Sequence, residues 1–574
     1  MSSKQIRVRS LPATLPASLA ELPPLLARIY AARGIATETD LCRTLDGLLP
    51  DNQLFGMDKA ASLIADHILR GSHFCIVGDF DCDGATSTAL AVLGLRAMGA
   101  EHVHYQVPDR FYYGYGLSAE LVADLPADTE ALITVDNGIA SIAGVAAAKA
   151  RGWDVIVTDH HLAGEQLPEA DAIVNPNQPD CGFTSKSLCG VGVMFYVLVA
   201  LRKELEARGW FAERTKPNLG QFLDIVALGT VADVVPLDAN NRILVHQGLQ
   251  RIRAGKARPG ILSLLRVAGR DHRQIVASDL GFAVAPRLNA AGRLDDMSVG
   301  IECLLTATPQ LADFYADQLN QMNLARREIE QDMQHQALMH LNRLSLAEED
   351  QPWGVCLYEA EWHQGVIGIL ASRIKDRLHR PVIAFAQGEN GEIKGSARSI
   401  AGLHIRDALA AVDSRHPGMI AKFGGHAMAA GLTLATQDFD SFRQAFDAEV
   451  RRMLQEKDLQ AMIEVDGPLA SEDFQLDTAW MLRNAGPWGQ HFPEPAFVGE
   501  FDIQQQRIVG ERHLKLVLRL PGSGQVLDAI HFNADLTVWP NSAKQARLVY
   551  KLDVNEFRGE TRLQLLVDHA EPLT

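Results

Sequence analysis

Gly78-Asp-Phe-Asp-Cys-Asp-Gly-Ala-Thr86 sets Asp79, Asp81 and Asp83 on alternate positions straight after the apolar run Phe74–Val77. Unit charges a few Å apart repel by roughly 1 kcal/mol in water and several times that beside protein. Three such carboxylates therefore call for a cation or for shared protons. The letters Asp-x-Asp-x-Asp-Gly also open a calcium loop, but the twelfth position of that pattern requires a bidentate Glu and is Leu90 here. The residues after Gly84 are good helix formers with an apolar face, so the motif reads as a strand-to-helix turn. Such turns bind ligands in open α/β sheets, and the following helix N-terminus favours anions such as phosphate.

Three further segments end in residues that bind metals. Ala131–Val135 runs into Asp136-Asn137-Gly138, Trp153–Thr158 runs into Asp159-His160-His161, and the helical-looking Phe222–Ala232 ends at Asp233. Parallel strands bring their carboxyl ends to one edge whatever their separation in sequence, so these endings are expected to share a site. The cysteines at 42, 75, 82, 181, 189, 303 and 356 form no closely spaced pair. A donor set of carboxylates with one or two imidazoles suits Mn²⁺ or Mg²⁺ better than structural zinc. There are enough ligands for two cations, the usual arrangement for in-line attack on phosphorus. Thr86 and Ser87 have no general base arranged beside them in the pattern of a triad, which argues against a covalent intermediate.

These residues need a scaffold of several domains. With 574 residues the chain exceeds what one core organises, and an apolar content of 47% excludes wholesale disorder. Strand and helix patterns alternate from about Phe74 to Gly229, which implies a mostly parallel sheet. Tyr315, Leu319, Met322, Ile329, Met333 and Leu341 keep helical spacing, so a long connecting helix with an apolar packing stripe is expected. A second α/β unit runs from about Trp353 to Leu454, and five strand-like runs between Phe497 and Val567 are spaced like a small antiparallel barrel of OB type. The reading is thus an α/β multidomain chain: an N-terminal segment 1–50, a parallel-sheet domain 51–308, a connecting helix 309–347, a second α/β domain 348–460 and a β-barrel 461–574. The N-terminus lacks the continuous apolar stretch of a signal peptide and no run of 18 apolar residues occurs, so a cytoplasmic location away from membranes is expected.

The motifs Asp79-Phe-Asp-Cys-Asp-Gly84, Val135-Asp-Asn-Gly138, Asp159-His-His161 and Gly229-Thr-Val-Ala-Asp233 resemble those of the DHH phosphoesterase superfamily. Ala285–Leu294, His363–Arg373, Lys394–Ser399 and Gly424–Gly431 further resemble its RecJ family, whose members are single-strand-specific 5′ to 3′ DNA exonucleases. The resemblance implies a two-metal exonuclease of DNA recombination and repair that releases mononucleotides and works with a single-strand-binding protein and a helicase. It implies that Asp81 and Asp83 bind one Mn²⁺ or Mg²⁺ each, that Asp136 bridges them, that His160 and Asp233 complete the second site and that His161 faces the scissile phosphate. Many members have His where Val77 stands, so Asp79 is expected to substitute in the first site, and Asp159 to orient an imidazole. Candidates for substrate binding are Arg110, Arg287, Asn289, Arg293, Ser372, Arg373, Ser396, Arg398, Gly424, Gly425 and His426. In the barrel, Phe532, Tyr550, Phe557 and Arg558 are candidates for stacking on bases. The net charge of −17 opposes DNA, but a basic run from Arg242 to Arg273 holds a single acid, Asp271, and reads as a strand-tracking groove. Two other readings use the same fold: a phosphodiesterase of short oligonucleotides or cyclic dinucleotides, and a binding scaffold without metal.

Overall fold

A computed structural model describes residues 4–109, 112–343, 352–389, 391–510, 512–534, 539, 542–557 and 559–573, without the side chains of 340–343 and 557. Contacts divide the chain into two compact units. Gln321–Ile463 with the first residues forms one, and Val8–Asn320 with Glu464–Thr574 forms the other.

The first short strand, β1 (Gln5–Val8), pairs with β12 (Met462–Val465). The larger unit is built on five parallel strands, β2 (His73–Val77), β3 (His102–Gln106), β4 (Ala131–Val135), β5 (Asp154–Thr158) and β6 (Ala172–Val174), in the order β3-β2-β4-β5-β6. Every residue of β4 is buried, as expected of a central strand covered on both faces. The helices Cys82–Met98 and Gly190–Ala207 pack closely, since a Cβ added at Gly94 would lie 2.3 Å from Leu198. The helix Leu223–Ala232 packs against the first of these, and the loops at the carboxyl ends of β2, β4 and β5 meet their ends.

The smaller unit carries a mixed sheet of β7 (Val355–Glu359), β8 (Val382–Gln387), β9 (Glu392–Arg398), β10 (Lys422–Gly425) and β11 (Ala429–Ala435), ordered β10-β11-β9-β8-β7. Only β7 and β8 are parallel. The helix Pro309–Arg343 runs without interruption for 35 residues. Of the expected apolar stripe Leu319 and Met333 are buried and Tyr315 is half-buried, but the seam also takes in polar positions. In the smaller unit its buried residues are Asn323, Arg326, Glu330, Met333 and Ala337, while Met322 and Ile329 are half-buried. Three of those positions are polar because they satisfy one another: Arg326 donates to Glu330 Oε2 at 2.6 Å and to Asn323 Oδ1 at 3.0 Å. The side chain of Leu341 lies outside the described residues.

The C-terminal strands β13 (Phe497–Val509), β14 (His513–Arg519), β15 (Val526–His531), β16 (Gln545–Phe557) and β17 (Glu560–Leu573) close a barrel in the order β13-β14-β15-β17-β16. Its closure is not wholly antiparallel, because β15 and β17 pair in parallel. The N-terminal segment joins this region to the rest of the larger unit. Tyr30 donates its hydroxyl to Ala485 O at 2.7 Å, and Arg33 forms a buried ion pair with Asp466 at 2.7 Å. Trp488 and Phe492 stack at 5.1 Å, and the guanidinium of Arg242 lies over Phe492. Among the described residues no helix is long and apolar enough to cross a membrane.

Candidate metal centre

At the carboxyl edge of the parallel sheet the turn after β2 holds three carboxylates in different ways. Asp81 caps the helix Cys82–Met98, its Oδ1 accepting from Gly84 N at 3.0 Å. Asp83 is wholly buried and accepts from Gly190 N at 2.6 Å and Val191 N at 3.0 Å, the first N–H groups of the helix Gly190–Ala207. Those orphan amides suit a carboxylate. Gly84 is required by close approach, since a Cβ there would meet the Asp79 carbonyl oxygen at 2.4 Å.

Asp136 follows β4 with φ of 62°, a conformation rarely taken by residues other than glycine, Asn and Asp. Strain of this kind gathers at functional sites. Gly190 again leaves room, for its Cβ would lie 2.6 Å from that of Asp136. After β5, His160 brings Nε2 to 3.1 Å from Asp136 Oδ1, 3.6 Å from Asp233 Oδ2 and 3.9 Å from Asp83 Oδ2. Three overlapping groups result, each with ligand atoms within 4.8 Å of one another: Asp79 with Asp81 and Asp136, Asp83 with His160 and Asp233, and Asp136 with both histidines.

Electrostatics describe a site built for cations. Burial pushes Asp83 up to about 6, helped by the charge of Asp81 and opposed by the two amides. Asp136 and Asp233 are raised well above the ordinary carboxylate range, first by burial and then by the neighbouring aspartates. Without a cation the cluster must keep protons. With hard oxygen donors and imidazole, the residues fit two Mn²⁺ or Mg²⁺ ions.

Asp159 is buried and accepts from His160 N, His161 N and Ile139 N, and from His161 Nδ1 at 2.7 Å. Burial opposes charge on His161, but that hydrogen bond and the surrounding carboxylates hold the imidazole at about 9. The same bond keeps Asp159 below its ordinary value despite burial. One residue absent from the sequence reading joins here: Tyr115 donates its hydroxyl to Asp136 O at 3.2 Å and lies 3.1 Å from His161 Nδ1. The loop following β3, neighbour of β2, is where the strand-end rule would have found it.

The remaining candidates are placed unevenly. Asn289 braces the turn after β2, its Oδ1 accepting from Cys82 N at 2.8 Å. Arg287 donates to Asn320 Oδ1 at 3.1 Å and to Ala283 O, and Arg293 is half-buried on the same helix, Ala285–Leu294. In the smaller unit, Arg373 donates to Glu330 Oε1 at 2.9 Å, while Ser372 is half-buried beside it. Arg398 donates to Ser396 Oγ at 3.1 Å, and burial lowers its pKa. Gly424 and Gly425 end β10, with His426 exposed in the turn to β11. Tyr550 is corrected outright: it is 1% exposed inside the barrel core and cannot stack on a base. Phe532 is 51% exposed, with His513 against its edge. Arg110 and Arg558, and the side chain of Phe557, lie outside the described residues.

Much of the basic run is already engaged within the protein. Arg258 caps the carbonyls of Leu304 to Thr306, Arg266 pairs with Asp313, Arg270 with Asp279 and Arg273 with Asp271. Arg242 is spent on Leu237 O, Asp40 O and the ring of Phe492. The charges hold helix ends and loops together.

A parallel sheet that gathers Asp, Asp, Asp and His-His motifs at one edge defines a DHH-type phosphoesterase, and the DHH family N-terminal domain matches residues 73–230. The DHHA1 domain matches 351–452 and the RecJ OB domain 465–569. The single-stranded-DNA-specific exonuclease RecJ of Salmonella typhimurium is 55% identical over 96% of this chain and 97% of its own length. That of Bacillus subtilis is 33% identical, over 96% of this chain and 68% of its own. The chain belongs to the RecJ family of single-stranded-DNA-specific exonucleases. Among solved structures, Thermus thermophilus RecJ in complex with Mn²⁺ superimposes with a TM-score of 0.82 at 29% identity, covering 99% of this chain and 80% of that one. Its complex with Mg²⁺ gives 0.76 at 28% identity, covering 99% and 79%.

Proposed function

We propose that the chain is a single-stranded-DNA-specific exonuclease that hydrolyses phosphodiester bonds from the 5′ end and releases mononucleotides. The observation that carries this reading is the set of overlapping clusters around Asp136, which holds ligands for two divalent cations side by side. Asp79, Asp81 and Asp136 would hold one Mn²⁺ or Mg²⁺ and Asp83, His160 and Asp233 the other, with Asp136 beside His160 of the second group. When bound, the pair of ions activates water and neutralises charge on the phosphoryl oxygens. The protein's own part is orientation. Asp83 is held by two amides, Asp136 by its left-handed backbone and Tyr115, and His161 keeps its Nδ1 proton on Asp159 while Nε2 is presented to the scissile phosphate.

Substrate then extends over other domains. Arg398 with Ser396, together with Ser372, Arg373 and the Gly424-Gly425-His426 turn, supplies cationic and backbone donors suited to phosphates in the DHHA1-type domain. Phe532 offers a stacking face on the barrel. Action on single strands during recombination and repair calls for a cytoplasmic location and for a single-strand-binding protein and a helicase as partners. The direct test is digestion of a long single strand, labelled at either end, with Mn²⁺. Loss of the 5′ label as mononucleotide supports the reading. Cleavage only of very short oligomers favours a small-oligonucleotide phosphodiesterase, and binding without cleavage favours a scaffold.

A further inference from the structure

Between the catalytic sheet's outer helices and the segment that leads into the barrel lies a cavity of about 240 Å³. It is bordered by Arg253, Arg483, Phe282 and Trp488, and by Lys551 with its partner Glu494. We propose that this cavity is a further nucleotide subsite, taking a phosphate of the single strand on Arg253 and Arg483 and the adjoining base against Phe282. The proposal rests on the exonuclease reading and extends it to the strand beyond the scissile bond.

Three observations converge on it. Arg253 and Arg483 enter from different parts of the chain, Arg253 donating to Ile275 O at 2.9 Å and Arg483 to Gln274 O at 2.8 Å. Among the described residues neither is ion-paired, and the charge of Arg483 joins burial in lowering the pKa of Arg253. Of the nearby acids, Glu494 pairs with Lys551 and Asp279 with Arg270, while Asp279 and Asp553 act on Arg253 and Arg483 only through their charge. Two guanidiniums left facing one cavity suit an anion.

Phe282, in turn, is 80% exposed and sits on a single π-helical turn, Leu280–Val284. Turns of that kind are rare and concentrate at functional sites. A bare phenyl ring beside paired arginines matches a base and its phosphate better than it matches a free anion. The turn also connects directly to the metal centre. Gly281 packs so closely on Val231, two residues before Asp233, that an added Cβ would lie 3.3 Å from it. The helix that follows brings Asn289 to Cys82 N. An acidic peptide would satisfy the arginines but gives no reason for this continuity with the hydrolytic site.

The test uses the full chain. Binding of fluorescein-labelled dT20 is measured without metal over a salt series, and hydrolysis of dT3 is measured with Mn²⁺. The double variant R253Q/R483Q is expected to weaken dT20 about tenfold and to lower the salt slope by about 0.7, the value for one phosphate contact on a single strand. F282A, at an exposed position that folding does not depend on, is expected to weaken dT20 roughly tenfold at an unchanged slope. Hydrolysis of dT3 stays within twofold in both. Unchanged dT20 affinity in F282A and R253Q/R483Q overturns the proposal, as does an equal loss on dT3, or displacement of a poly-glutamate peptide but not of dT20. A wild-type chain that binds dT20 and hydrolyses nothing refutes the exonuclease reading alone, and the binding arms still decide the subsite.

Discussion

Asp136 touches both clusters, so its removal is the most severe single change available at the centre. Asp136→Ala is expected to lower hydrolysis at least about a thousandfold, the scale of losing several kcal/mol of transition-state charge stabilisation, while single-strand affinity stays within a few-fold. Asp79→Asn separates the ligand in place of Val77 from its neighbours: weaker occupancy of one of two Mn²⁺ sites by titration is expected, and two unaltered sites would show that another group completes the first. Asp159→Asn leaves the ligands intact but loosens His161, for an expected fall of about 10–100-fold in turnover. Much of this was legible, because strand-ending Asp and His residues converge whenever the strands are parallel. Tyr115 and Gly190 were not, since their importance comes from contacts with His161 and Asp136 that no local pattern announces. The bracing of Cys82 N by Asn289 was hidden for a related reason: the two residues lie far apart in sequence.

At the scale of elements, the helix that starts at Gly190 and the turn after β2 are held together by a buried carboxylate whose charge is costly without a cation. In the metal-free protein Asp83 is raised to about 6 from an ordinary 3.8, so the stability it contributes is present below pH 4 and lost as pH rises through about 6. A bound cation needs the carboxylate ionised and reverses that loss. The rise in melting temperature on adding Mn²⁺ is therefore expected to be larger at pH 7.5 than at pH 5, measured by thermal shift at equal metal concentration. A rise that is equal at both values would contradict the assignment. A second element-level expectation concerns the N-terminal segment. Arg33→Ala removes the 2.7 Å partner of buried Asp466 and leaves it only the longer pair with Arg9 at 3.9 Å, for an expected cost of roughly 3 kcal/mol in chemical denaturation. Elements were the easiest level to read, because alternating and helical periods survive in any context. The long helix's seam was read only in part: Leu319 and Met333 are buried as expected, whereas Arg326, Glu330 and Asn323 are inside because they satisfy one another.

For the whole molecule, net charge says little about where a nucleic acid runs. The basic run from Arg242 to Arg273 looked like a track in sequence, yet Arg273 pairs with the run's own Asp271, and Arg258, Arg266 and Arg270 cap carbonyls or pair with acids that lie outside it. Arg253 is the member left facing a cavity, and it does so beside Arg483, about 230 residues further along the chain. Domain order was legible from composition and strand spacing, whereas the union of the N-terminal segment, the catalytic sheet and the barrel in one compact unit was not, because it depends on tertiary pairs such as Tyr30 with Ala485. The central claim is that this edge of carboxylates and imidazoles drives exonuclease action on single strands. It is tested most directly by incubating the full chain and its Asp136→Ala variant with Mn²⁺ and long single-stranded or duplex DNA carrying a 5′ label. Labelled mononucleotide is expected from the single strand with the wild-type chain, and almost none from the variant or the duplex. Unaltered full-length strand with the wild-type chain, or equal release from the variant, would contradict that claim.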